Sequence, residues 1–188
     1  MSLILPNNYL LFRFIAIDPG IDNTGIAIYT VSSSLQIMNI ETMIIHPGKM
    51  NNGANDIDIV SERMYKLLTL KKSLSDIVAC IKPATVISES PFYHSSSPMA
   101  YGSLIETISY LRMGVFEIDP NISFRTVEPL VVKKNIKAGS TKGKVEMKDR
   151  LKVIEEVMNA LLVPIDILDE HQVDAIAIGY YLLKTLRG

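Results

Sequence analysis

Three carboxylates and one imidazole stand where their types and spacing could do chemistry: Asp18, Glu89, His171 and Asp174. Asp18 ends an apolar run, Phe14-Ile15-Ala16-Ile17, and is followed by Pro19-Gly20. Glu89 closes a second short run, Ala84 to Ser90. Asp174 lies within Val173-Asp174-Ala175-Ile176, three residues after His171, a separation that puts both on one helix face. A carboxylate at the end of a buried strand costs free energy unless it is paired, and converging carboxylates repel unless a cation lies among them. Oxygen donors with at most one imidazole suit Mg²⁺ or Mn²⁺ better than zinc. Two such ions would clamp the attacking and leaving oxygens of an in-line phosphodiester hydrolysis. Each residue also has a plainer reading: Asp before Pro-Gly is ordinary turn chemistry, Glu89 suits a solvated strand end, and His171 suits an exposed helix start. Asp174, amid apolar neighbours, divides evenly between the two.

The elements that must position these groups follow from hydrophobic period and punctuation. Phe14 to Tyr29 predicts two strands joined by the Pro19–Gly25 turn. Leu35 to Ile45 predicts a third strand, and Lys49 to Asp56 a polar loop. Apolar residues at steps of three and four from Ile59 to Ile81 predict an amphipathic helix closed by Pro83. Ala84 to Ser90 is a fourth strand. Ser97-Pro98 reads as an N-cap with Pro at the first helical position, opening a helix to about Val115. Gly102 in that helix either admits another backbone or weakens the helix. Ile122 to Val127 is a fifth strand, and Lys133 to Gly143 a polar, basic, Gly-containing segment. Met147, Leu151, Ile154, Met158 and Leu161 predict one helix ended by Pro164, and Asp169 to Leu186 the last helix. The expected class is α/β: a mixed five-stranded sheet, three strands antiparallel and the later ones parallel, flanked by helices.

At 188 residues, 48% hydrophobic and 21% charged, the chain is expected to form a single domain, residues 1–188, with a sizeable core. The lone Cys80 excludes an intramolecular disulfide and suits a reducing compartment. The apolar N-terminus is broken by Pro6-Asn7-Asn8 and lacks a basic lead, so it does not read as a signal peptide. No run is long enough for a membrane span, and a cytoplasmic location is expected. A formal net charge of −1 excludes a uniformly basic nucleic-acid binder. The charge is uneven, however: 133–152 holds eight basic residues against two acids, leaving −7 for the rest. A basic segment on an acidic body suits phosphate contact, and equally a solvated lysine-rich surface.

The chain resembles the RuvC-type Holliday-junction resolvases, nucleases of the RNase H-like superfamily, over roughly Phe14 to Tyr181, with the phage-type members among those it resembles. Ile17-Asp18-Pro19-Gly20 with Thr24-Gly25 is similar to the family's Asp-Pro-Gly-x-x-x-Thr-Gly motif, and Asp174-Ala175-Ile176-Ala177-Ile178 to the run carrying its last acid. The resemblance implies an RNase H-like fold with Asp18, Glu89, His171 and Asp174 as catalytic metal ligands for two Mg²⁺ or Mn²⁺ ions. It implies paired symmetric nicking of four-way DNA junctions, leaving 5′-phosphate and 3′-hydroxyl ends. Two nicks related by a two-fold axis imply a homodimer, built in this family on the helix here beginning at Pro98. If the source is viral, the location becomes the host cytoplasm. Phe92 falls where the family carries an aromatic that stacks on junction bases, with the alternative that Phe92 or Tyr93 plugs the core. Lys133 and Lys144 fall on the family's functional lysines, with Lys142 competing for the second position. The low overall charge, the absence of a motif in 49–56 and the N-terminal Met1 to Phe12 depart from the family pattern. Three other readings remain: a broader nuclease of forks, flaps and Y-structures, a non-catalytic nucleic-acid-binding module, and an actin-like ATPase. The last would need a second Gly-rich phosphate hairpin, which the sequence lacks.

Overall fold

The computed structural model describes residues 10–48, 61–92, 98–137 and 143–188, with the side chains of 143–146 outside that description. Strands β1 (Leu11–Asp18), β2 (Thr24–Ser32), β3 (Ile37–Ile45), β4 (Thr85–Glu89) and β5 (Ser123–Val127) form one sheet in the order β3-β2-β1-β4-β5. β1 and β3 each pair antiparallel with β2; β4 pairs parallel with β1 and with β5. This is the mixed antiparallel-then-parallel sheet expected, and the fold is RNase H-like. Helices α1 (Glu62–Ile81) and α2 (Pro98–Ile118) cover one face; α3 (Pro129–Asn135), α4 (Gly143–Lys152), α5 (Glu155–Ala160) and α6 (Glu170–Arg187) cover the other. No helix among the described residues is long and apolar enough to cross a membrane.

The unbroken apolar run of β1 follows from burial on both faces. Successive side chains alternate: Phe14 and Ala16 enter the core under α6, whereas Ile15 and Ile17 enter the core under α1 and α2. The same parity carries Asp18 to the α6 face. In β4, Val86 faces α1 and Ile87 faces α6, so Glu89 also lies on the α6 side. Small residues let α6 approach closely. Ala16 and Ala27 lie on the sheet and Ala175, Ala177 and Gly179 on the helix. A Cβ on Gly179 would overlap the Tyr29 ring, whose hydroxyl donates to the Ile176 carbonyl at 2.6 Å.

Several boundaries differ from expectation. Leu35 has φ 61 and belongs to the turn before β3, where its N–H bonds the Ser32 carbonyl. The described part of the first helix opens at Ser61, whose hydroxyl accepts from Met64 N–H at 3.2 Å, and closes with Lys82 left-handed before Pro83. The expected start near Ile59, the loop 49–56 and the Ser97 cap lie outside the described residues. The single helix expected over Met147–Leu161 is two, α4 and α5, broken where Ile154 turns extended at φ −94, ψ 95. Met147, Leu151, Val157 and Ala160 still share one core, so the periodicity survives the break and conceals it. The β-branched pair Val153-Ile154 is a poor place to continue a helix. After the break, Leu161 bridges Ile40 on edge strand β3. Residues 133–135, expected in a polar segment, are helical: Pro129 opens α3 at its first turn, and Val132 anchors it in the core.

Candidate active site

The four groups singled out by sequence gather at one corner of the sheet. The parallel register Ile17↔Ser88 brings the ends of β1 and β4 level, so Asp18 and Glu89 are neighbours on the α6 face. The first turn of α6 crosses above them, and His171 Nδ1 lies 2.7 Å from Asp18 Oδ2. Asp18 is only 7% exposed, so its charge requires such a partner. The hydrogen bond that the imidazole donates to Asp18 holds it above its ordinary pKa. Asp174 completes the group: it and Asp18 both act on Glu89. Burial and these two carboxylates push the Glu89 carboxyl up from an ordinary 4.5 to about 8, against the opposing pull of Lys133.

The hairpin turn after Asp18 is fastened by its own side chains. Thr24 Oγ1 donates to the Gly20 carbonyl at 2.7 Å and closes the turn on itself. Asp22 pairs with Lys66 of α1 at 2.8 Å, and Asn23 Oδ1 bonds His46 Nδ1 at 2.7 Å. Gly25 sits opposite Asp18 in the β1–β2 ladder, and a Cβ there would overlap the backbone carbonyl of His171. The glycine therefore allows α6 to descend far enough for its imidazole to reach Asp18. The α6 cap is a capping box: Asp169 Oδ1 accepts from His171 N–H at 2.9 Å, and Gln172 Oε1 accepts from Asp169 N–H at 3.0 Å.

The donor set of three carboxylates and one imidazole fits a hard divalent cation. Burial raises Glu89 most, and the repulsion from Asp18 and Asp174 that adds to it is what such an ion would relieve. Among the described residues, however, no three such side chains close on one point at metal-ligand spacing. The imidazole instead rests on Asp18 Oδ2.

Lys133, on α3, lies close enough to Glu89 to lower its carboxyl pKa, at the corner formed by the acids. Phe92 is 52% exposed, which excludes the reading that it plugs the core; Tyr93 lies outside the described residues. Lys142 and the side chain of Lys144 also lie outside them. The basic segment is not all available to a phosphate backbone. Lys148 donates to the carbonyls of Asp166 and Leu168 at 3.2 and 2.9 Å, and Lys152 pairs with Asp166 at 2.6 Å. Both hold the 3-10 turn Ile165–Ile167 in place. Gln172, Thr42 and the contact beneath Gly25 were not marked by sequence reasoning. Gly25 carried a signal, since glycine inside a strand points to close backbone approach; Thr42 carried none.

A consequence for stability follows from Glu89. Its folded pKa is raised, so the fold favours the protonated form. That contribution is full below the ordinary carboxyl range and is lost as pH rises through about 8. The metal-free protein is expected to melt lower at pH 8.5 than at pH 5.5. Glu89→Gln should remove much of that slope and raise the metal-free melting temperature at pH 8.5 by about 5 °C, roughly 1–2 kcal/mol. Thermal melts with and without Mg²⁺ check this, with Mg²⁺ stabilising the natural chain more than the variant. An unchanged slope in the variant would show that Glu89 does not titrate as its surroundings dictate.

No family model matches the chain, and no curated protein matches it in sequence. Solved structures do match. Thermus thermophilus RuvC bound to a Holliday junction substrate superposes with a TM-score of 0.64 at 15% identity, covering 93% of this chain and 95% of that one. Thermus thermophilus RuvC in a second structure gives 0.62 at 15% identity, covering 93% and 96%. The yeast mitochondrial Holliday junction resolvase Ydc2 gives 0.60 at 16% identity, covering 97% and 84%. The likeness runs through nearly the whole of the RuvC chains and not merely through a shared sheet, and the chain has the RNase H-like fold of the RuvC-type resolvases.

Proposed function

We propose that this protein is a metal-dependent endonuclease that resolves four-way DNA junctions by paired, symmetric nicks. The observation that carries the reading is the corner itself. Burial, with Asp18 and Asp174 beside it, pushes the Glu89 carboxyl up to about 8 against the opposing pull of Lys133. Strongly shifted acids gathered at one corner are a mark of functional sites. The whole-chain likeness to a protein solved on a Holliday junction points to branched DNA as the substrate.

In this reading Asp18, Glu89, His171 and Asp174 hold Mg²⁺ or Mn²⁺. The chemistry that bound divalent ions supply is activation of the attacking water and neutralisation of charge on the leaving 3′-oxygen. His171, which bonds Asp18 at 2.7 Å, would have to turn from that carboxylate to serve as a ligand. A divalent cation held here would favour the ionised Glu89 carboxylate by offsetting the repulsion from Asp18 and Asp174. Lys133 neutralises a phosphate oxygen beside the acids, and Phe92, exposed on the loop after β4, stacks on an unpaired base at the branch point.

Paired nicking needs two such corners. α2 leaves Met99, Ile105, Met113 and Phe116 exposed, and a Cβ on Gly102 would meet nothing within 4 Å among the described residues. An open glycine in an apolar helix face suits close approach of a second helix, and we assign this face to a homodimer.

The test is cleavage of a mobile four-way junction, a fork, a flap and a linear duplex in Mg²⁺, read at nucleotide resolution. Symmetric paired nicks confined to the junction support resolution. Equal cutting of forks and flaps would make this a general branched-DNA nuclease, and no cutting of any would leave a binding module. Lys133→Ala is expected to lower junction cleavage about tenfold and to reduce the salt slope of junction binding by roughly one. Unchanged values of both would make Lys133 an idle surface residue.

A further inference from the structure

His171 and Asp174 both ride on the first turn of α6, so the placement of that turn sets two of the four groups at once. A capping box ordinarily closes on the helix itself and leaves the NH₂ of its glutamine to water. Here Gln172 does more. Its Oε1 accepts from Asp169 N–H, while its Nε2 donates to Thr42 Oγ1 at 3.0 Å, on a strand 130 residues away in sequence. A planar amide fixed at both ends limits both rotation and sliding of the helix. Residue 172 lies about 100° round the helix from 171, so this restraint acts from a different side than the pair it positions.

The anchoring strand is well chosen. Thr42 pairs with Ala27, and Ala27 pairs with Ala16, two residues before Asp18. The tether therefore refers the α6 turn to the same rung system that carries the catalytic carboxylate. The His171–Asp18 bond cannot do this job throughout, because a cation at Asp18 competes for the same oxygen. When the imidazole leaves Asp18, the Gln172–Thr42 bond still joins the turn to the sheet.

We propose that Gln172 and Thr42 form a positioning pair that holds the first turn of α6 in register over Asp18, and so sets the affinity of the site for its metal ions. This rests on the metal-dependent cleavage proposed above. The pair itself touches neither ion nor DNA.

Thr42→Val removes the hydroxyl at nearly constant shape and leaves the capping box intact; Thr42→Ser keeps the hydroxyl. Three measurements on the full chain serve: calorimetric titration of metal-free protein with Mn²⁺, amide hydrogen exchange over 170–174, and single-turnover cleavage of a saturating four-way junction. Thr42→Val is expected to weaken Mn²⁺ binding about tenfold and to slow cleavage similarly. Exchange in the first turn of α6 should accelerate, junction affinity in Ca²⁺ should hold, and the melting temperature should move by less than about 2 °C. Thr42→Ser should restore Mn²⁺ affinity to within about twofold. Faster exchange in Thr42→Val with Mn²⁺ affinity unchanged would overturn the proposal, since the bond would then be structural only. A natural chain that cuts junctions alongside an equally active Thr42→Val overturns the positioning role alone. A natural chain that neither binds Mn²⁺ nor cuts branched DNA overturns the proposed function, and this role with it.

Discussion

Asp18→Asn is expected to lower junction cleavage in Mg²⁺ on the order of 10³-fold while leaving junction binding in Ca²⁺ unchanged. The substitution keeps the size of the side chain and one oxygen, but it removes the charge. That charge does two things in the structure. It accepts the His171 imidazole at 2.7 Å, and it helps push the Glu89 carboxyl up to about 8. The variant should therefore carry a fingerprint beyond lost activity. His171, without its anionic partner, should titrate lower, and Glu89, without one of its two repelling neighbours, should titrate lower as well. NMR titration of the imidazole separates this outcome from unfolding. A variant that cuts at the natural rate would remove Asp18 from the chemistry. A variant that loses junction binding in Ca²⁺ would place Asp18 in DNA contact instead.

Gly25→Ala should be the most damaging single methyl in the molecule. Its Cβ would overlap the backbone carbonyl of His171, and backbone cannot swing aside as a side chain can. Either β2 or the first turn of α6 must shift. Overpacking of this kind costs about 1–3 kcal/mol, or roughly 3–10 °C in a chain of this size. The functional loss should be larger than the stability loss. A shift of about 1 Å in reacting groups can cost on the order of 10²-fold, and the displaced turn carries both His171 and Asp174. Melts and single-turnover rates measured on the same preparation test this. A variant that loses stability but cleaves normally would show that the turn re-seats itself. One that keeps both its stability and its rate would mean the close approach is unimportant. Gly25 lies opposite Asp18 in the ladder, so one glycine governs how near the helix-borne groups come to the strand-borne acid.

The contrast between Gly25 and Gly102 shows how alike two positions can look in sequence. Both are single glycines inside apolar elements. One is pressed against the carbonyl of another element, and the other meets nothing within 4 Å among the described residues. Only the packing of α6 against β2 tells them apart.

Much of the architecture was legible because period and punctuation are local. Short apolar runs, interrupted by Pro, Gly and Asn, mark strands whose faces are both covered, and all five strands were recovered within a few residues. The errors arose where local pattern and tertiary path diverge. α4 and α5 keep one helical periodicity across the break at Ile154 because both bury residues in the same core. α3 was missed because a seven-residue helix with a single deeply buried Val offers no period to count. The lysine count of 133–152 likewise overstated what is open to DNA, since Lys148 and Lys152 are engaged by carbonyls and Asp166.

For the site, the sequence by itself singled out Asp18, Glu89, His171 and Asp174 as candidates and put His171 and Asp174 on one helix face. Strand alternation and helix spacing are set by backbone geometry over a few residues. It also marked the turn after Asp18, because Pro, Gly and Asn constrain the backbone directly. The tertiary structure alone decided that the four meet, since that depends on the β1–β4 register and on how deeply α6 sits on the sheet. It alone decided that His171 rests on Asp18 and that Glu89 stays protonated near neutrality, because both arise from burial and from charges distant in sequence. It alone disclosed Thr42, a residue with no local signal, whose hydroxyl matters only because an amide 130 residues away reaches it.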